Sequence, residues 1–86
     1  MADQVPKEFY DAVDRFISLA NKLAKEQGDS RVSTVILFAA ARFNAYCMLS
    51  GDPDARKNLN ATKARFVGRY REMLDDNVEE LLEDRG

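Results

Sequence analysis

The chain of 86 residues contains no histidine, one cysteine, two prolines and four glycines. Each scarcity removes something. Without histidine there is no imidazole base to activate a nucleophile and no commonplace metal ligand, so Cys47 reads as a buried, inert thiol. A lone cysteine cannot close an internal disulfide, which argues against an oxidising compartment and for a reducing cytoplasm. No glycine-rich phosphate loop, nucleophile elbow or dinucleotide fingerprint occurs. Acidic pairs such as Asp75-Asp76 and Glu79-Glu80 read as solvated charge, not as a ligand loop. The expectation is therefore no enzyme, no cofactor and no metal site.

Long apolar runs are also missing. The chain begins Met-Ala-Asp-Gln with no basic leader. Its longest uncharged run, residues 32–41, is about half of the ~20 residues that a membrane span requires. The sequence thus predicts neither export signal nor membrane span. Length allows one domain, residues 1–86, and a chain this short buries only roughly 60% of its unfolded surface.

Thirteen basic and fifteen acidic residues nearly cancel, so net charge gives no reason to expect a polyanionic partner. Their order is less even. Residues 56–71 carry six bases and no acid, and residues 72–84 carry seven acids and no base.

The apolar spacing is helical throughout, with no strand-like alternation and no repeat. A first helix is expected over residues 6–27, from Pro6 in the first turn to Gly28 at the C-cap. Its residues Phe9, Val13, Phe16, Ile17, Ala20, Leu23 and Ala24 share an arc of about 120°, and the opposite side is charged, so one face should be buried. After a short loop at residues 28–30, with Ser30 or Ser33 as cap, a second helix spans residues 32–49. It is apolar around its whole circumference, interrupted by Ser33, Asn44 and Arg42. Gly51, Asp52 and Pro53 read as a stop, a cap and a start for a third helix over residues 53–74.

On that third helix Leu59, Thr62, Phe66, Tyr70 and Met73 form a stripe about 80° wide, whereas Val78, Leu81 and Leu82 are rotated by roughly 110° from it. Either the helix continues with a second contact surface or it breaks near residues 75–77. The spacing Asp76-x-x-Glu79 resembles a capping box and favours a separate short helix over residues 76–84. The fold expected is all-α: an antiparallel three-helix bundle with a long or broken C-terminal helix.

Stacking the helices about the two turns leaves the last twelve residues overhanging by roughly 18 Å at 1.5 Å per residue. Exposing Val78, Leu81 and Leu82 there would forfeit several kcal/mol, at ~1.5 to 3 per buried aliphatic side chain. The middle helix repeats the point, because it has almost no polar face to leave wet. The reading is an interaction or scaffold module acting as a homodimer, with Leu37, Asn44, Met48, Val78, Leu81 and Leu82 as candidate contacts. Folding of residues 76–84 back over the bundle would instead give a monomer.

Arg42, the one charge inside the apolar helix, needs a carboxylate if buried, and antiparallel stacking puts Asp14 within about a turn of it. A structural Arg42–Asp14 pair leads; an anionic ligand or an acid of a partner chain would serve as well. Asn44 could pin the register between copies. The alternative function is weak, sequence-indifferent nucleic-acid binding, with Arg56, Lys57, Lys63, Arg65, Arg69 and Arg71 on phosphates and Tyr70 for stacking. Projection counts against it, since Arg65 and Arg69 lie about 150° from Arg56 and Lys63. A small-ligand or accessory enzyme subunit ranks third.

The runs Phe9-Tyr10-Asp11, Leu19-Ala20-Asn21, Val32-Ser33 and Phe38-Ala39-Ala40-Ala41-Arg42-Phe43-Asn44-Ala45 resemble a family of short proteobacterial proteins of unknown function. The Ala-Ala-Arg-Phe-Asn run is its most distinctive element. The likeness covers mainly residues 9–48, with residues 53–86 similar only as a charged helix. It implies a bacterial cytoplasmic setting and carries over no functional residue.

Overall fold

The computed structural model describes residues 6–51 and 53–85, of Ala55 and Arg85 the backbone alone. The readings placed on Met1 to Gln4 and on Asp52 as a helix cap lie outside the described residues. Among the described residues all but Pro6, Gly28 and Asn58 are α-helical, and none is in a strand. In chain order the helices are α1 (Lys7–Gln27), α2 (Asp29–Gly51), α3 (Pro53–Lys57) and α4 (Leu59–Arg85). The chain divides into two compact units, Met1–Phe43 and Asn44–Gly86, which are taken one at a time.

In the first unit, α1 starts behind Pro6, whose carbonyl accepts the Phe9 N–H at 2.9 Å. Proline suits this place because it lacks a donor that the first turn could not satisfy. Lys7 and Asp11, one turn apart, form a 3.0 Å ion pair in the open, an arrangement worth a few tenths of a kcal/mol.

A single residue then turns the chain. Gly28 sits at φ +91°, ψ 152°, a region open essentially to glycine alone. Its N–H donates to the Ala24 carbonyl at 2.8 Å and closes α1, while its own carbonyl accepts from Val32 N–H at 3.2 Å and opens α2. The corner therefore needs no three-residue loop, and α2 begins at Asp29 instead of Val32. Ser30 and Ser33 lie inside the helix, not at its cap, and the Ser30 carbonyl accepts the Thr34 hydroxyl at 3.4 Å.

Burial in this unit concentrates at the corner. Val32 is 4% exposed, with Ala20, Leu23 and Ala24 half-buried on the other arm. Away from it the apolar face of α1 is open: Phe9, Val13, Phe16 and Ile17 are exposed, and no α1 residue is buried. The expectation of a buried α1 face is corrected here, because spacing defines which side is apolar and a neighbour is needed to cover it.

The second unit has its own junction at Asn58. Residues 53–74 do not form one uninterrupted helix: α3 ends at Lys57 and α4 starts at Leu59. The Asn58 side chain donates to the Asp54 carbonyl at 3.4 Å while its backbone N–H reaches the same carbonyl at 3.3 Å. Asparagine competes for backbone groups in this way, which is why it weakens a helix interior. Just beyond, Thr62 is 7% exposed and its N–H donates to the Asn58 carbonyl at 2.9 Å.

From Leu59 the helix runs unbroken to Arg85, 27 residues or roughly 40 Å. The capping-box spacing at Asp76 and Glu79 starts no new helix. Asn77, in the middle of the proposed break, turns its side-chain amide to the Met73 carbonyl at 2.7 Å within the helix. Val78, Leu81 and Leu82 thus extend one long rod as its second apolar strip, all three exposed.

Candidate interaction surface

The side chains of interest are hydrophobic ones that meet water. On α2, Val35, Ile36, Leu37, Phe38, Phe43, Tyr46 and Leu49 are all exposed, Phe38 and Tyr46 to 67% and 70%. Asn44 and Met48 are half-buried, and Leu37 is 50% exposed. At 100° per residue these positions go round the helix, so no rotation hides them all against one neighbour. On α4, Val67, Tyr70, Met73, Leu74, Val78, Leu81 and Leu82 are exposed as well.

Length and composition alone make α2 capable of crossing a membrane, its 23 residues spanning roughly 34 Å. The uncharged run of residues 32–41, about half of a span, understates this length, because the helix continues past its charges. One arginine and one asparagine still leave residues 32–49 apolar on average. Arg42 and Asn44 nevertheless fall near its middle, where arginine costs about 2.5 to 3.5 kcal/mol on insertion scales.

Arg42 is exposed, and so is Asp14. They form no ion pair: among the described residues the two pairs are Lys7–Asp11 and Lys57–Asp54, the latter at 4.0 Å, and both are local and open to solvent. The argument for an Arg42–Asp14 bridge required a buried guanidinium, and the open flank of α2 removes that requirement. Cys47 is exposed too, contrary to the buried thiol expected.

The six bases at Arg56, Lys57, Lys63, Arg65, Arg69 and Arg71 are exposed. Arg56 and Lys57 belong to α3 and the rest to α4. Around α4 they point several ways, Lys63 and Arg71 toward one side and Arg65 and Arg69 toward the other. The Arg69 guanidinium lies 6.0 Å from the Phe66 ring centroid, at the outer limit of a cation–π contact. No single basic strip results.

Among the described residues no group of three or more histidine, cysteine, aspartate or glutamate side chains is placed to hold a metal ion. A shallow concavity near the Gly28 corner, lined by Gln27, Ser30, Arg31, Thr34, Val35 and Phe38, is open to solvent and gathers no catalytic set.

The described residues are thus almost wholly α-helical, with many apolar side chains left open. A family model described as protein of unknown function (DUF3144) matches residues 9–82, and the chain belongs to that family. The match reaches well past residue 48, so α3 and most of α4 belong to the family pattern along with α1 and α2. No curated protein and no solved structure matches the chain.

Proposed function

We propose that this protein is a bacterial, cytoplasmic interaction or scaffold module that works as a homodimer and carries out no catalysis of its own. The observation that carries the reading is α2, whose apolar side chains remain exposed around the helix in a single chain. Leaving such side chains wet costs ~1.5 to 3 kcal/mol each relative to burial, a large share of the 5 to 15 kcal/mol typical of a small domain. A second identical chain is the commonest cover, each patch meeting its symmetry mate. Leu37, Asn44 and Met48 on α2, and Val78, Leu81 and Leu82 on α4, are the contacts put forward.

The antiparallel helix bundle read from the spacing is, on this account, completed when two copies supply each other's missing neighbours. Protein is preferred to lipid as the cover of α2 because Arg42 and Asn44 near its middle can reach polar groups at a protein interface. Within the assembly Arg42 would meet an acid of the second copy or of a further protein partner. Light scattering behind a sizing column at low micromolar concentration tests the reading. Twice the chain mass of 9.7 kDa is expected, and a single 9.7 kDa species would reject it.

A further inference from the structure

The exposed apolar strip of α4 and the charges beside it favour one partner and one direction of approach. Tyr70, Leu81, Leu74, Val67 and Val78 fall within about 80° of each other on the helix, and all five are exposed. Val67, Tyr70, Leu74 and Leu81 keep the three-and-four spacing of a coiled-coil seam, with Val78 one residue past the position that Asn77 takes. Along the same helix the charge changes sign between Arg71 and Glu72, with Lys63, Arg65, Arg69 and Arg71 before the boundary and Glu72, Asp75, Asp76, Glu79, Glu80, Glu83 and Asp84 after it.

From this we infer that α4 docks antiparallel on α4 of a second copy, with the two-fold axis level with Glu72, next to the charge boundary. This rests on the homodimer reading above and adds its surface and direction. With the axis there, Tyr70 meets Leu74 of the second copy and Val67 meets Val78, each contact occurring twice. Residues 63–71 then lie level with residues 73–81; Lys63 falls within the strip and Arg71 borders it, with Asp84 and Asp75 of the second copy nearest them, while Arg65, Arg69, Asp76, Glu79 and Glu80 lie toward the far side of the helix. Arg71 lies beside Asp75 of the second copy, and Lys63 lays its methylenes on Leu81 with its ammonium toward Asp84.

Parallel pairing in register would set base against base and acid against acid. Lys63, which falls within the strip, would then meet Lys63 of the second copy, a juxtaposition of like charges that disfavours that direction. No other described helix offers the match: α1 intermixes Lys7, Glu8, Asp11, Asp14, Arg15 and Lys22, and α2 is nearly uncharged. Within one chain Lys63, Arg71, Asp75 and Asp84 have no ion-pair partner among the described residues. The second copy supplies one for each.

Disulfide trapping reads the direction. In a Cys47→Ala background, chains carrying V67C are mixed in equal amounts with chains carrying V78C in a glutathione redox buffer, and the products are weighed by mass spectrometry. The mixed V67C–V78C disulfide should exceed its statistical share of one half. Homodisulfides should be scarce, because antiparallel V67C positions stand about 16 Å apart along the axis, beyond the ~7 Å that a disulfide can span between Cα atoms. An excess of homodisulfides would mean parallel pairing. Statistical or absent products with a dimeric parent protein would place the interface elsewhere, and either result overturns this inference alone. A parent protein of single-chain mass would overturn the homodimer as well.

Discussion

Truncating Leu37 to alanine separates a covered α2 from an open one. In a single chain Leu37 is already 50% exposed, so only the remaining half of its surface is available to a second copy. Full burial of leucine contributes ~1.5 to 3 kcal/mol, and half of that is roughly 0.8 to 1.5 kcal/mol per chain. A two-fold interface loses the contribution twice, about 1.5 to 3 kcal/mol per dimer. At 1.4 kcal/mol per decade, the dimer Kd should rise roughly 10- to 150-fold. Sedimentation velocity over a dilution series measures it, with Lys22→Ala, on the charged side of α1, as a control that should leave Kd unchanged. If Leu37→Ala shifts Kd by less than a factor of about two, no second copy covers that side of α2 and the energetic argument fails.

Three further substitutions probe the fold. Arg42→Met should change stability by no more than about 0.5 kcal/mol in the thermal melt of a dilute, monomeric sample, because the guanidinium is exposed and makes no ion pair among the described residues. A loss of about 3 kcal/mol or more would restore the buried pair with Asp14. Gly28→Ala should cost about 1 to 3 kcal/mol although a Cβ there meets nothing within 4 Å, since the strain is in the backbone at φ +91°; an unchanged melting temperature would show that the corner relaxes. Asn58→Ala should stabilise by about 0.5 kcal/mol and fuse α3 to α4, visible as helical chemical shifts through residue 58, and a loss of helix would contradict the role given to that side chain.

Much of the helical layout is legible from the residues alone. Proline and glycine mark the starts and the corner, and the spacing of apolar residues marks which side of α1 seeks cover. What escapes is local chemistry of two kinds. Gly28 looks like an ordinary C-cap until its positive φ turns the chain in one residue and lets Asp29 begin α2. Asparagine reads ambiguously as well: Asn58 interrupts a segment whose pattern is continuous, while Asn77 bonds back to Met73 and stays within a helix where acid spacing suggests a break.

Which apolar side chains stand open in one copy was legible in part. Leu37, Val78, Leu81 and Leu82 stand out because too much of their surroundings is apolar, and they are open in the single chain. Arg42 and Cys47 were misplaced for one reason: an apolar helix suggests a buried one, and burial belongs to the neighbours, which spacing within a helix does not encode. The length of α2 was likewise hidden by counting between charges, since helix geometry averages over them.

Hydroxyl-radical footprinting at two concentrations asks most directly whether another copy shields what one copy leaves wet. Phe38, Phe43 and Tyr46 are 67%, 67% and 70% exposed in a lone chain. Their oxidation should be fast below the dimer Kd and slow above it, while Tyr10, at 55% and outside the surface put forward, should vary far less. Equal labelling of the α2 rings at every concentration, fast or slow, would contradict the account.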